Sequence, residues 1–311
     1  MRKIRISVMP PLIASPAIGS TSVENISAFA SAAEELGFHS ILLQDHIGIS
    51  GAETYDCLTT LGMLAANTRR IRLGTLATPI PLRHPALVAK SLANIDIISN
   101  GRAELSVGAG WIKEDFVWYG IPYPKFKDRI GMMREGVQVI KALWTQSPAN
   151  YRGEYYALNE ADFRPKPIQR PHPPIWVAGV SESALKVAVD EGNGWYGWMG
   201  LEPKEFGLKV KIVDRLCREK GRSRNKVENA MHVQASIARN EKQLREQAGK
   251  WMKKPKSFHD TISCGTPEYF TDLIERYREA GCDQLSLVFV PVNKAVEQIR
   301  LFGEKVLPNF G

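Results

Sequence analysis

Residues 101–116 read Gly-Arg-Ala-Glu-Leu-Ser-Val-Gly-Ala-Gly-Trp-Ile-Lys-Glu-Asp-Phe. Ala103, Leu105 and Val107 alternate with Arg102, Glu104 and Ser106, the period of two of a strand whose successive side chains face opposite ways. Gly108, Ala109 and Gly110 then strip the backbone of bulk at the strand's carboxyl end, and Trp111 adds a large flat surface. Backbone approaches a ligand closely only where side chains are missing, and parallel α/β folds bind ligands at the carboxyl ends of their strands. The stretch reads as a strand ending in a platform for a planar ligand. A tight turn beside a core tryptophan is the alternative.

Working outward, the same unit recurs on both sides. Ile4, Ile6 and Val8 begin a first strand, and Thr21 with Glu24 forms a capping box for a helix whose apolar stripe is Val23, Ile26, Ala30 and Ala33. Residues 39–44 form the second strand, followed by a loop holding Asp45, His46 and two glycines, then a helix over about 56–68. The third strand is 71–76, and Pro85 suits the first turn of the helix that follows it. The fifth strand waits until 174–178, so 111–173 reads as a long insertion with a helical stripe (Ile130, Met133, Val137, Ile140, Trp144), a hairpin at 151–158 and a proline-rich return. A helix opens at 179–183, and strand six is 194–197. A helix over 204–220, strand seven at 232–238 and a helix over 241–252 come next. A loop at 253–265, expected to be mobile, precedes the helix begun by Thr266 and Pro267, strand eight at 284–290 and a last helix at 294–306.

Eight alternations of strand and helix, with no sequence repeat competing, predict an α/β chain: a single (β/α)8 TIM barrel with a long insertion between strands 4 and 5, one domain over residues 1–311. A doubly wound open sheet is the competitor, but the first strand-to-helix loop lacks the dinucleotide glycine fingerprint.

Hydrophobic content of 44% with 24% charged residues belongs to a soluble globular chain. No apolar run reaches the roughly 18 residues of a membrane span, and the amino terminus is too short in apolar residues for a signal peptide, so a cytoplasmic protein without membrane contact is expected. Cys57, Cys217, Cys264 and Cys282 lack Cys-x-x-Cys or histidine partners at metal-ligand spacing; free thiols and no metal follow. The net charge of +8 comes from scattered lysines and arginines, which reads as a solvated surface rather than a nucleic-acid groove. A basic mouth for an anionic small molecule stays open.

In a barrel the carboxyl ends of the strands converge, so Asp45, His46, Thr75, Leu76, Ala77, Gly108, Ala109, Gly110, Trp111 and the stretch from Ala178 through Gly179, Val180, Ser181 and Ser183 are expected to be neighbours. His46 suits proton movement or substrate placement near neutral pH, the alternative being a histidine that satisfies loop backbone. Asp45 could fix its tautomer, contact a ligand, or merely form a turn. The 179–183 turn offers helix-terminal N–H groups and hydroxyls to a phosphate, against the alternative of an ordinary serine cap.

These residues resemble the bacterial luciferase-like flavin monooxygenases and their deazaflavin (coenzyme F420) relatives. The resemblance rests on the order and spacing of Glu35-Leu36-Gly37-Phe38, Leu43-Gln44-Asp45-His46, Arg72-Leu73-Gly74-Thr75, His84-Pro85, Gly101-Arg102, Gly108-Ala109-Gly110-Trp111, Leu143-Trp144, 151–156 and 173–179. It implies an oxidoreductase with the cofactor phosphate at 179–183 and the tricyclic ring near Asp45, His46, Thr75 to Ala77 and Gly108 to Trp111. It also implies a cis peptide between Leu76 and Ala77, a small-molecule substrate, a homodimer, and a flavin or F420 reductase as supplier of reduced cofactor. The luciferase catalytic subunit has a histidine where Asp45 stands and an arginine where Ala109 stands, so light-emitting chemistry is not expected. F420 is favoured over FMN; an FMN-dependent monooxygenase and a non-catalytic flavin-binding protein are the alternatives.

Overall fold

Eight parallel strands close on themselves in the computed structural model, which describes residues 3–249, 251–252 and 261–310. They are β1 (Arg5–Met9), β2 (Ser40–Leu43), β3 (Arg72–Thr75), β4 (Ala103–Gly108), β5 (Ile175–Ala178), β6 (Gly194–Gly197), β7 (Glu228–Ile237) and β8 (Gln284–Phe289). Each pairs with the next in sequence, β4 meeting β5 through Val107 and Val177, and β8 returns to β1 through Ser286 and Ser7. The expected TIM barrel is the observed fold.

The alternation that marks the strands in the sequence divides two cores. Ile6, Val8, Ile41, Leu73, Leu105, Val107, Val177 and Leu287 pack outward against the helices. Met9, Leu42, Leu76, Trp176, Tyr196 and Ala230 form a separate cluster inside the barrel. The interior also carries polar groups, among them the Ser7 and Ser40 hydroxyls, 2.7 Å apart.

The helices are α1 (Val23–Glu35), α2 (Cys57–Asn67), α3 (Pro85–Ile98), α4 (Glu114–Val117), α5 (Phe126–Thr145), α6 (Glu182–Glu191), α7 (Pro203–Lys220), α8 (Glu241–Ala248), α9 (Pro267–Glu279) and α10 (Ala295–Lys305). Several differ from expectation. Ser22, not Thr21, caps α1 by accepting from the Asn25 amide, because the Thr21 hydroxyl donates to the Pro11 carbonyl. The stretch 111–173 is not all insertion: α5 packs against α3 and α6 and takes the place of the barrel's fourth helix. What stands outside the repeat is 111–125 and 146–173, the latter holding a hairpin of Ala149–Arg152 with Ala157–Ala161. Residues 253–260 of the expected loop lie outside the described residues, but Ile262–Gly265 is a strand paired parallel with β7. The peptide between Leu76 and Ala77, just past β3, is cis. Among the described residues no helix is long and apolar enough to cross a membrane, and no cluster of three metal-ligating side chains occurs. All four cysteines are free.

Candidate active site

A cavity of about 370 Å³ opens at the carboxyl ends of the strands. Its walls come from three sets of residues, each placed by a local feature of the sequence.

The first wall is the backbone platform of Leu76, Ala77, Gly108, Ala109 and Gly110. Gly110 has a φ of +75°, and a Cβ there would stand 2.7 Å from the Phe116 ring, so the position demands glycine. The platform is tied down from behind. Arg129 donates from Nε to the Ala109 carbonyl (3.1 Å) and from Nη1 to the Pro124 carbonyl (2.6 Å), with its guanidinium 3.9 Å from the Tyr123 ring centre.

The second wall is the turn from β5 into α6: Ala178, Gly179, Val180, Ser181 and Ala184. Gly179 has a φ of +148°, and a Cβ would come within 2.9 Å of the Ala184 methyl. The Trp195 indole donates to the Gly179 carbonyl at 2.6 Å and fixes the turn. Ser181 caps α6, its hydroxyl accepting from the Ala184 amide at 3.2 Å. First-turn amides of a helix have no intrahelical acceptor, which leaves the end of α6 suited to an anion.

The third wall is His46, Trp111, Ile112, Asp115, Phe116, Phe126, Ile130 and Trp198. His46 Nδ1 lies 2.8 Å from Asp115 Oδ2, while Asp115 Oδ1 accepts the amides of Ile47 (2.7 Å) and Gly48 (3.1 Å). Burial pushes the Asp115 carboxyl up, but the hydrogen bond from His46 and those from Gly48 and Ile47 outweigh it and hold the group below the usual carboxylate range. An ionised Asp115 therefore keeps the proton on His46 Nδ1 and leaves Nε2 to serve the cavity. Trp111 stands edge-on to the imidazole, ring centres 6.4 Å apart. Trp198 rests on buried His232, whose pKa burial lowers to about 4.

The structure thus brings together His46, Leu76, Ala77, Gly108 to Trp111 and Ala178 to Ser181, as expected from the barrel. It places three other residues elsewhere. Asp45 is 1% exposed and lies behind the wall, where Arg83 grips both its oxygens at 2.8 to 3.0 Å and also reaches Asp56 at 2.6 Å. Burial raises the Asp45 carboxyl and the Arg83 guanidinium opposes that rise. The tautomer-fixing role suggested for Asp45 belongs to Asp115. Thr75 is fully buried and exchanges hydrogen bonds with the Ser106 backbone (2.7 and 3.0 Å). Ser183 is exposed on α6, its hydroxyl 3.0 Å from that of Ser181. Asp115, Arg129, Phe126 and Ile130 were not singled out for the site from sequence, and Trp198 is the member of the run Trp195, Tyr196, Trp198, readable as pocket wall or core filling, that lines the cavity. Ile130 stands in the helical stripe, but nothing local marks Asp115.

Comparison with known proteins places these features among relatives. Residues 5–260 match the model of the luciferase-like monooxygenase family. An F420-dependent glucose-6-phosphate dehydrogenase of Microbacterium testaceum is 27% identical across 90% of this chain and 91% of its own. An FMNH(2)-dependent dimethylsulfone monooxygenase of Pseudomonas putida is 32% identical over 60% of this chain and 50% of its own. Among solved structures, an F420-dependent secondary alcohol dehydrogenase superposes with a TM-score of 0.84 at 23% identity, each chain covered over 100% of its length. That likeness concerns the fold.

Proposed function

The chain belongs to the luciferase-like monooxygenase family, and from that premise we propose that this oxidoreductase uses coenzyme F420 to move a hydride to or from a small organic substrate at the barrel mouth. The observation that carries the reading is His46 set by Asp115 in the wall of an otherwise apolar cavity. Hydride transfer to a carbonyl, or from an alcohol, must be accompanied by movement of one proton, and His46 is the side chain placed to give or take it.

The residues fit a tricyclic cofactor. Leu76 to Ala77 and Gly108 to Gly110 offer a strip with little side-chain bulk, on which a flat ring can lie against backbone. The amino end of α6, beyond Gly179, suits a phosphate. Bound there, F420 supplies the hydride chemistry, whereas FMN would supply oxygen activation. The protein's own part is to orient the substrate against this strip, exclude water with Trp111, Phe116, Phe126 and Trp198, and pass a proton to or from the substrate oxygen at His46 Nε2 while Nδ1 keeps its own toward Asp115.

Favouring F420 over FMN are the Ala109 position, where luciferase has a phosphate-binding arginine, and the net charge of +8, which attracts the longer anionic tail of a deazaflavin. An FMN-dependent monooxygenase is the second reading, supported by the Pseudomonas relative. A non-catalytic flavin-binding protein would have no use for a histidine oriented by a buried carboxylate. Absorbance spectra of the protein mixed separately with F420 and FMN, followed by substrate under oxygen-free conditions, separate the three.

A further inference from the structure

We propose that the substrate half of the cavity takes an uncharged, mostly apolar alcohol or ketone with a single hydrogen-bonding oxygen, and rejects phosphorylated sugars. The proposal rests on the oxidoreductase reading above and narrows it. Once the backbone strip and the α6 turn are assigned to the cofactor, what remains for the substrate is the Asp115-bound His46 with Trp111, Phe116, Phe126, Ile130 and Trp198. Apart from His46 and Asp115 these are apolar or aromatic walls. They reward burial of hydrocarbon and leave sugar hydroxyls without partners, at a cost of about 1 to 3 kcal/mol for each buried polar group unpaired.

Charge argues the same way. No lysine or arginine lines the cavity among the described residues, while the Asp115 carboxylate does. Two nearby guanidiniums are already engaged: the partly buried Arg83 by Asp45 and Asp56, and the buried Arg129 by two backbone carbonyls and the Tyr123 ring. Lys113 and Lys125 are exposed, and water screens them from the interior. A phosphate dianion entering this half would lose its hydration, meet no cation among the described residues and approach a carboxylate. The amino end of α6, with its uncluttered Gly179 turn, is assigned to the cofactor.

The reaction balances with such a substrate. In the reducing direction the carbonyl carbon would gain a C–H bond as the reduced deazaflavin gives up a hydride and is oxidised, and the oxygen would gain a proton from Nε2 of the doubly protonated His46, which is left neutral with its remaining proton on Nδ1 toward Asp115. The alcohol returns both in the reverse direction. His46 supplies the only hydrogen bond the substrate oxygen needs.

Ligand-observed NMR titrations with cyclohexanone, cyclohexanol and glucose 6-phosphate, run on the protein alone and with F420 added, test this. With F420 bound and the α6 turn filled, the two cyclic compounds are expected to bind at least tenfold more tightly than the sugar phosphate. Phe126→Lys, at a position 49% exposed and so tolerant of a charge, is expected to shift the ratio at least tenfold toward glucose 6-phosphate; Ile130→Arg is the second variant, deeper in the wall. Equal or tighter binding of glucose 6-phosphate by the unaltered protein with F420 bound overturns the proposal, as does failure of both cyclic compounds to bind. Because binding of the two cyclic compounds without cofactor reads the apolar wall directly, failure of F420 to bind counts against the cofactor assignment, and failure of the cyclic compounds against this proposal.

Discussion

Asp115 and His46, 69 residues apart in the chain, meet at 2.8 Å between Oδ2 and Nδ1. One carboxylate holds the imidazole and, through its other oxygen, two amides of the loop that carries it. Asp115→Asn is expected to keep the fold but weaken turnover by about tenfold to a hundredfold, since second partners of a working histidine are commonly worth that much. The loss should fall on kcat more than on KM. His46→Ala is expected to abolish turnover with a melting shift of only a few degrees; a large loss of stability with turnover kept would assign His46 to the fold.

The same carboxylate predicts an acid-side signature. Its pKa is depressed in the folded state, so its stabilising contribution is complete above the ordinary carboxylate value of about 4 and is lost as pH falls through the lower folded value. The stability gap between the native protein and Asp115→Asn should therefore be constant near neutrality and close in strong acid. Denaturant melts across that range check it, and a gap that closes between pH 7 and 5 contradicts it.

His39 and His232 act in a different window. Burial lowers each to about 4, with the Arg5 and Arg72 charges adding to the effect at His39. Both stay neutral in the folded protein while the unfolded chain protonates near about 6.5. Stability is thus whole above that value and falls as pH drops toward 4, by up to about 1.4 kcal/mol per pH unit for each histidine. His232→Gln should flatten the slope in urea titrations between pH 6.5 and 4.5.

Asp45 was expected to act in the chemistry, and its burial against Arg83 makes it a matter of stability instead. Arg83→Met leaves a buried carboxylate uncompensated and is expected to cost about 3 kcal/mol or more. Calorimetry of this variant should show a melting point many degrees lower. A near-native melting point with lost turnover would return Asp45 to the active site.

The platform and the turn that follows β5 make a paired prediction. Gly110→Ala places a Cβ against the Phe116 ring at positive φ and is expected to cost about 1 to 3 kcal/mol of stability. Gly179→Leu is expected to weaken cofactor binding strongly, because Ala184 blocks the space at the mouth of α6. Ser181→Ala separates the two roles of that turn: loss of the cap costs about 1 kcal/mol, and unchanged cofactor affinity would show that amides rather than the hydroxyl hold the phosphate.

Much of this architecture is legible in the sequence because strand and helix periods are local. Ala103, Leu105 and Val107 announce β4, and the glycines after it announce the platform, since both follow from what a few adjacent residues can do. The contacts that finish the site are not local. Asp115 reaches His46 across a loop and a barrel seam, and Arg83 reaches Asp45 from another strand's loop, so neither pair has a spacing to recognise. The fourth barrel helix was hidden for a related reason. Residues 109–125 separate β4 from α5, longer than the usual strand-to-helix connection, so the helix read as part of an insertion. Ser22 and Thr21 are adjacent candidates for one cap, and only the Pro11 carbonyl, which occupies the Thr21 hydroxyl, decides between them.

The central claim is that this cavity runs hydride chemistry on F420. The most direct test is an oxygen-free titration of the purified protein with reduced F420 and, separately, reduced FMN, followed by cyclohexanone, with the cofactor absorbance read throughout. Saturable binding of reduced F420 and its stoichiometric oxidation by the ketone, lost in His46→Ala, is the predicted result. Binding of reduced FMN with substrate-dependent oxygen uptake once air is admitted, and no response to F420, would contradict the claim and install the monooxygenase reading in its place.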